Sequence, residues 1–258
     1  MTVVGSIATN VRNPRGLLVT NNGNTDDTDE TLVVPEFFGV PVAEAKDDGR
    51  QGRVRLFSVR DLSDQGSITL GALTAAEAGF GVATAPNQLH TAAIAGGKLY
   101  FPSVSASPEG PPKFDNNVNP VIYVADLATK LEVKTPVGTT NLAKLINTAL
   151  PSGMPRQFMA ETVDLDFVPQ TSIAYAVSRG SDAVVRVDFG GAQTAIGSTQ
   201  NKQIDLATGG MATGCLNPTG IVVASASQKA YVNCWISRRL GVLDLAAQTL
   251  STTTQSVA

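Results

Sequence analysis

One three-strand pattern recurs four times along this chain, and it constrains the fold more than any other feature. Each copy has an apolar strand, a turn, a second strand that usually carries an aromatic residue, and a third strand that ends in Asp followed by an apolar residue. These Asp residues lie 65, 62 and 56 residues apart, at Asp61, Asp126, Asp188 and Asp244. Compact repeats of this kind span roughly 40 to 50 residues, so the spacing indicates inserted loops.

The three strands of each copy are predicted from short apolar runs between turn residues. First strands are expected at residues 16–20, 91–95, 163–168 and 220–224, second strands at 31–34, 98–101, 173–177 and 230–233, and third strands at 54–62, 121–127, 184–189 and 240–245. Short turns, such as Gly96-Gly97 and residues 225–228, join first and second strands as hairpins. The repeated Asp residues are interpreted as turn residues that accept hydrogen bonds from backbone amides.

An antiparallel meander repeated around an axis predicts an all-β fold, a β-propeller with four blades of four-stranded antiparallel sheets. We expect one domain or partial propeller, with blades at about residues 1–74, 85–137, 158–208 and 213–258. A β-sandwich is the alternative, although it does not explain the repeated Asp-apolar ending. One short helix is expected between the second and third blades, because residues 141–150 place Leu142, Leu145, Ile146 and Leu150 on one helical face before Pro151.

Composition excludes several kinds of function. Charged residues make up 16% of the 258 residues and the formal net charge is -3. Without a basic stripe, a nucleic-acid partner is disfavoured. No apolar run approaches the roughly 18 residues of a membrane helix. Residues 1–5 lack the features of a signal peptide, so localisation must be argued from other evidence.

Two second-strand phrases resemble the YVTN-type β-propeller repeat: Ala230-Tyr231-Val232-Asn233 and Leu99-Tyr100-Phe101-Pro102. Residues 46–54, 86–90 with 105–110, and 233–240 further resemble the propeller part of large exported bacterial proteins that carry a C-terminal c-type cytochrome module. The resemblance implies a periplasmic or extracellular location and a redox module as partner. The chain lacks the Cys-x-x-Cys-His motif that haem attachment requires, so any haem would belong to a partner or to a region outside these residues.

One cluster of acidic residues is a candidate metal site. The acidic loop at residues 21–30 offers hard oxygen ligands for Ca²⁺ from Asp26, Asp27, Asp29 and Glu30, although its spacing does not fit an EF-hand and a solvated hairpin tip is the alternative. Asp47 and Asp48, in the next inserted loop, would be able to join such a site. We assign no catalytic or cofactor-binding residue.

Three further polar residues have alternative interpretations. The lone His90 is interpreted as a hydrogen-bonding residue at the rim, and binding of a partner's metal or haem is the alternative. Asp164 and Asp166 alternate along a first strand and so share a face. They are interpreted as the polar lining of a central channel, with acid/base chemistry as the alternative.

The two cysteines are predicted to form a disulfide, Cys215 to Cys234, across the first hairpin of the last blade. Pairing Ala224 with Lys229 places Cys234 opposite Thr219, so the segment that carries Cys215 must fold back to reach it. A disulfide favours an oxidising compartment.

These features favour a non-catalytic propeller scaffold whose loops dock a protein partner or a redox module. The inserted loops at residues 39–52 and 105–120 are the expected contact surface, because they are polar and longer than a hairpin requires. The alternatives are a calcium-dependent hydrolase or lactonase and a structural subunit of an extracellular assembly. Four blades are few for this repeat, so we also expect a second copy or a partner chain to complete the ring.

Overall fold

The computed structural model describes residues 5–7, 11–113, 117–134, 136–150, 153, 156–196, 203–224 and 227–255. Some sequence predictions fall outside these ranges. They are the first-blade boundary at residue 1, the last-blade boundary at residue 258, residues 225 and 226 of a predicted turn, residues 114–116 of a predicted docking loop, and Pro151.

The first two sheets hold more strands than the four predicted for each. Sheet 1 has the order β1 (Leu18–Val19), β2 (Thr31–Pro35), β4 (Arg50–Ser58), with β5 (Asp64–Leu70) and the short β3 (Val40–Pro41) also paired with β4. Sheet 2 is built on β8 (Lys98–Ala106) and β9 (Val118–Asp126), flanked by β6 (Ala85–Leu89), β7 (Ala93–Ala95), β10 (Leu131–Glu132) and β11 (Thr140–Asn141). This sheet extends past the predicted boundary at 137, because β11 returns to pair Thr140 with Ile122.

Sheets 3 and 4 are regular four-stranded meanders. Sheet 3 contains β12 (Thr162–Phe167), β13 (Ile173–Ser178), β14 (Ala183–Asp188) and β15 (Gln203–Asp205) in that order. Sheet 4 contains β16 (Pro218–Ala224), β17 (Lys229–Cys234), β18 (Arg239–Asp244) and β19 (Thr249–Gln255) in that order. All strand pairs in these two sheets are antiparallel. The predicted all-β fold of four propeller blades is therefore confirmed, and sheets 1 to 4 are blades 1 to 4.

Three short α-helices lie between strands in the described ranges. They are α1 (Ala75–Ala78), α2 (Leu142–Ala149) and α3 (Gly210–Thr213). The predicted helix is α2, which begins where the Asn141 side chain accepts hydrogen bonds from the amides of Ala143 and Lys144. Its apolar face packs between blades 2 and 3 through Leu142 and Ile146. Among the described residues, no helix is both long and apolar enough to cross a membrane.

Buried apolar side chains in the described part of the chain form three clusters, one between each pair of successive blades. Leu56 and Phe101 belong to the cluster between blades 1 and 2, and Tyr100 and Phe167 to the cluster between blades 2 and 3. Tyr175 and Val232 belong to the cluster between blades 3 and 4. Among the described residues, none of these clusters joins blade 4 to blade 1.

The two ends of the blades differ in structure. The third strands β4, β9, β14 and β18 run toward one end, which we call the turn end, where the Lys130 side chain of blade 2 donates to Gln65 O of blade 1. At this end the repeated Asp residues accept hydrogen bonds from backbone amides of the turns, in the pairs Asp61 with Ser63, Asp126 with Thr129, Asp188 with Gly190 and Asp244 with Ala246. The predicted turn-forming role is confirmed. Longer connections lie at the opposite end, which we call the loop end.

Candidate functional site

The two predicted docking loops contact each other at the loop end. Lys46 of the first loop forms an ion pair with Glu109 of the second, with 2.8 Å between Nζ and Oε1. The Asp47 amide donates to Glu109 Oε2 at 3.0 Å, and the Glu109 amide donates to Asp47 Oδ1 at 2.8 Å. The hydrogen bond from Lys46, which is the main cause, lowers the pKa of Glu109. Blades 1 and 2 therefore present one joined loop surface.

Two glycines allow the first loop to fold back on itself. Gly39 has φ +62°, and a Cβ at this position would lie 2.4 Å from Gln51 O. A Cβ at Gly49 would lie 2.2 Å from Ala43 O. Any larger residue would push the backbone apart at these positions. This tight loop holds Phe38 and Val42 with much of their side chains exposed.

A disulfide organises the loop end of blade 4. Cys215 and Cys234 are bonded as predicted, with their Cα atoms 4.9 Å apart, and both are buried. The predicted register is wrong by one residue. A bulge between Pro218 and Gly220 places Cys234 opposite Pro218 and not opposite Thr219. The bond ties the connection from blade 3 to the β17–β18 turn.

That turn carries the most exposed large apolar side chain of the described residues. Trp235 is 70% exposed and Ile236 is 53% exposed. Their amides donate to Asn217 O and Leu216 O, at 3.1 and 3.2 Å. The Ser237 hydroxyl also accepts from the Leu216 amide. The indole is therefore displayed on a backbone that is held at several points.

Helix α3 lies beside this turn. Arg239 donates to Ala212 O at 2.5 Å, and the Thr253 hydroxyl donates to Thr213 O at 2.8 Å. These bonds hold the helix against blade 4 and leave Met211 largely exposed. Met211, Trp235 and Ile236 thus add an apolar area to the loop end of blade 4.

His90 packs in a small aromatic cluster between blades 1 and 2. Its ring meets that of Phe37 edge to face at 5.1 Å, and the Arg15 guanidinium lies 3.9 Å from the centre of the Phe37 ring. Burial lowers the pKa of His90 to about 4, and the Arg179 charge adds to this effect. Its Nε2 is buried and has no hydrogen-bond partner among the described atoms, so the interpretation as a hydrogen-bonding residue does not hold at this nitrogen.

Asp164 and Asp166 bridge two blades. Asp164 Oδ2 accepts from the Ile221 amide at 2.8 Å, and Asp166 Oδ2 accepts from the Val223 amide at 2.7 Å. Burial raises the pKa of Asp164 to about 6, and the neighbouring Asp166 charge acts in the same direction. On the edge of β16 that faces away from β17, the two carboxylates accept hydrogen bonds from backbone amides, as a neighbouring strand would. Their interpretation as the polar lining of a central channel stays a prediction.

The carboxylates of the acidic loop bind the loop's own donors. Asp26 accepts from the amide and hydroxyl of Thr28, and Asp29 accepts from the side chains of Asn22 and Asn24. The Asn22 amide donates to Glu30 at 2.7 Å. In the described chain no group of three His, Cys, Asp or Glu side chains is arranged to hold a metal ion. Calcium binding by Asp26, Asp27, Asp29 and Glu30 stays a prediction.

Sequence reasoning missed the exposed pair Trp235 and Ile236. The signal was present, because an apolar dipeptide directly follows a strand-ending cysteine. It also missed the contact between the two loops, since their residues are polar and carry no pairing pattern. The contacts of Asp164 and Asp166 with the backbone of β16 were not predictable either. Hydrogen bonds from the side chains of one blade to the backbone of the next leave no periodic pattern in the sequence.

Comparison with known proteins shows the fold. No protein-family model and no curated protein matches the chain significantly. Among solved structures, hydrazine synthase of Kuenenia stuttgartiensis is similar over 98% of this chain and 52% of its own, with 12% identity and a TM-score of 0.53. The β-propeller domain of Cps50 (Swd1) from Myceliophteria thermophila is similar over 99% of this chain and 59% of its own, with 11% identity and a TM-score of 0.52.

A periplasmic gluconolactonase of Pseudomonas aeruginosa, PpgL, is similar over 82% of this chain and 50% of its own, with 13% identity and a TM-score of 0.50. Identities this low show the fold alone. The chain spans about half the length of these three solved chains. This chain is thus similar to part of larger propeller proteins, and the comparisons assign it no activity.

Proposed function

We propose that this chain is a non-catalytic β-propeller scaffold that presents its loop end to a protein partner. The distribution of exposed apolar residues carries the proposal. Of the eleven large apolar side chains exposed in the described part of the chain, one is at the turn end and four are on the outer faces of blades 1 and 4. The other six are at the loop end: Phe38, Val42, Val118, Met211, Trp235 and Ile236.

The loop end also has the rigidity that a docking surface needs. Binding is weakened when loops must be ordered at the interface, and fixed loops avoid that cost. Here the Lys46–Glu109 ion pair joins two loops, and the disulfide fixes the turn that carries Trp235. Exposed tryptophans on fixed backbone are typical of binding hot spots. We therefore place the strongest contact at Trp235.

The resemblance to exported propeller-cytochrome proteins suggests the class of partner, a c-type cytochrome module, in which the haem belongs to the partner. The disulfide is compatible with an oxidising compartment, and we place the scaffold in the periplasm or outside the cell. The scaffold completes its ring with a second copy or with a partner chain.

A calcium-dependent hydrolase and a purely structural subunit are the alternatives. The hydrolase would need polar side chains free to meet a substrate. Asp164 and Asp166 instead hold backbone amides of the next blade. No specific arrangement in the described residues favours that chemistry. The structural alternative differs from the scaffold in lacking a specific partner at the loop end.

A quantitative pull-down from the periplasmic or secreted fraction of the source cells tests the proposal. The baits are the unchanged chain, the double variant Trp235→Ala, Ile236→Ala, and the control Leu131→Ala at the turn end. We expect the unchanged chain and the control to recover the same partner. The double variant should recover at least roughly tenfold less, since hot-spot residues dominate binding. Equal recovery by all three baits, or no enriched protein at all, would overturn the proposal.

A further inference from the structure

Blade 4 ends in an apolar face that the described chain does not cover. The register aligns Val222 with Tyr231 and Tyr231 with Val242, so these side chains form one row across the sheet. Val222 is 56% exposed, and Leu240 of the same face is also exposed. We call this surface the blade 4 face. No described residue of the chain provides a following blade.

Blades 2 and 3 each have an equivalent row of side chains, and there the next blade covers it. Register places Ala93 opposite Tyr100 in blade 2 and Asp166 opposite Tyr175 in blade 3, as Val222 is opposite Tyr231 in blade 4. Tyr100 is buried, and its ring lies 4.7 Å and 4.8 Å from the rings of Phe167 and Phe189 in blade 3.

Tyr175 is buried in the cluster with blade 4, where Gln248 donates to its hydroxyl at 2.5 Å. Tyr231 is thus the third tyrosine at this repeat position. It is only partly buried, because its row lacks the blade that covers the other two. The internal repeat therefore indicates that a propeller blade is the natural occupant of the blade 4 face.

Blade 1 has a complementary face that is open at its inner edge but buried at its centre, where Val34 and Phe57 are 4% and 0% exposed. Leu18 packs toward blade 2, whereas Leu17 and Val19 on either side of it are 65% and 50% exposed. In blade 4 the corresponding innermost strand uses Ile221 and Val223 to meet the preceding blade. Leu17 and Val19 thus mark the surface that receives a preceding blade, and we call it the blade 1 face.

We propose that the blade 4 face binds the blade 1 face of a second copy of this chain, and that the reciprocal contact closes a two-fold ring of eight blades. The two-fold axis relates the two contacts, so one type of contact covers the blade 4 face and the blade 1 face of both copies. Eight blades lie within the range of about four to eight that propellers adopt. The chain spans 59% of the similar Swd1 propeller domain, and 52% and 50% of the similar hydrazine synthase and gluconolactonase chains, so in each comparison about half of the solved chain has no counterpart in these four blades.

This inference rests on the ring-completion part of the proposed function. The first experiment is light scattering of the purified chain, with its disulfide intact, over a range of concentrations. We expect a species of twice the 26.8 kDa chain mass. A monomer at all concentrations would overturn the inference, and so would open oligomers that grow with concentration. A monomer would leave docking at the loop end untouched, so the two proposals fail separately.

Two variants test the head-to-tail geometry. Val222→Arg and Val19→Glu each place a charge on one of the two faces, and both side chains are at least half exposed, so the fold is expected to survive. Circular dichroism and non-reducing mass analysis check this. Each variant alone should raise the dimer dissociation constant more than about 100-fold, because each interface would bury an unpaired charge.

Mixing the two variants should restore dimers. In the mixed dimer one interface has no substituted residue, and the other pairs the introduced arginine of one copy with the introduced glutamate of the other. The control Leu131→Arg, at a side chain 66% exposed at the turn end, should dimerise normally. A face-to-face dimer through blade 4 alone would leave Val19→Glu dimeric. That result, or a mixture that stays monomeric, would overturn the inference.

Discussion

Replacing Asp164 with Asn should make the protein more stable at neutral pH. The Asp164 carboxylate is largely buried, accepts from the Ile221 amide at 2.8 Å and from its neighbour Leu165 at 3.0 Å, and lies near Asp166. Its burial disfavours the charged form and raises its pKa to about 6. An asparagine oxygen is able to accept the same hydrogen bond without carrying the charge.

The expected magnitude follows from the two pKa values. The ordinary value is 3.8 and the folded value is about 6, and this difference corresponds to about 3 kcal/mol. Because the folded pKa is raised, the stability contributed by the protonated form is present below pH 3.8 and is lost as pH rises through about 6. Asp164→Asn should therefore match the unchanged protein at about pH 3.5 and exceed it by up to about 3 kcal/mol at about pH 7.5.

Urea unfolding at about pH 3.5, 5 and 7.5 measures this difference. His90 titrates in the same range, because burial lowers its pKa to about 4 and its stabilising neutral form is lost as pH falls. This effect is common to both proteins and cancels in their difference. Asp126→Asn is the control of opposite sign, since the Thr129 amide and hydroxyl lower the pKa of Asp126. A gain that is equal at all three pH values, or a loss at the highest pH, would refute the reasoning.

Three further predictions concern the disulfide, the first loop and the acidic loop. The double variant Cys215→Ala, Cys234→Ala should lower the free energy of unfolding by about 3 kcal/mol, because the bond joins residues 19 positions apart and so restricts the unfolded chain. Two free thiols in the denatured, unreduced protein would contradict the bond. Gly39→Ala should lower the thermal midpoint more than Gly23→Ala, since both have positive φ but only Gly39 has a close neighbour; equal effects would contradict this. The triple variant Asp26→Ala, Asp27→Ala, Asp29→Ala should lose any calcium binding that calorimetry detects in the unchanged chain. Unchanged binding would exclude this location.

The blade order was predictable from sequence because three strands of each blade carry clear signals. Short apolar runs between turn residues mark strands such as β13 and β17, and the Asp-apolar ending marks where third strands stop. The outermost strands were not located. β10 has only two residues. β19 is a threonine-rich segment, and one row of its side chains lies at the surface of the blade. Such strands bury little, so they have no strong apolar pattern.

The candidate site was predictable only in outline. Loop length and polarity identified residues 39–52 and 105–120 as a surface, and two cysteines identified the disulfide. The contact of Asp47 with Glu109 joins residues 62 positions apart, and the Asp164 contact with Ile221 joins residues 57 positions apart. These contacts depend on how blades pack, which local sequence does not encode. The exposure of Trp235 likewise depends on the turn geometry.

Photo-crosslinking in the source cells tests the central claim, that the loop end is the docking surface. A photoreactive amino acid is placed at Phe38, Met211 or Trp235 at the loop end, and at Asp27 or Leu131 at the turn end, all of which are exposed. The account predicts that the three loop-end positions crosslink to one common partner and that the two turn-end positions do not. Crosslinks to that partner from the turn end, or equal yields from both ends, would contradict it.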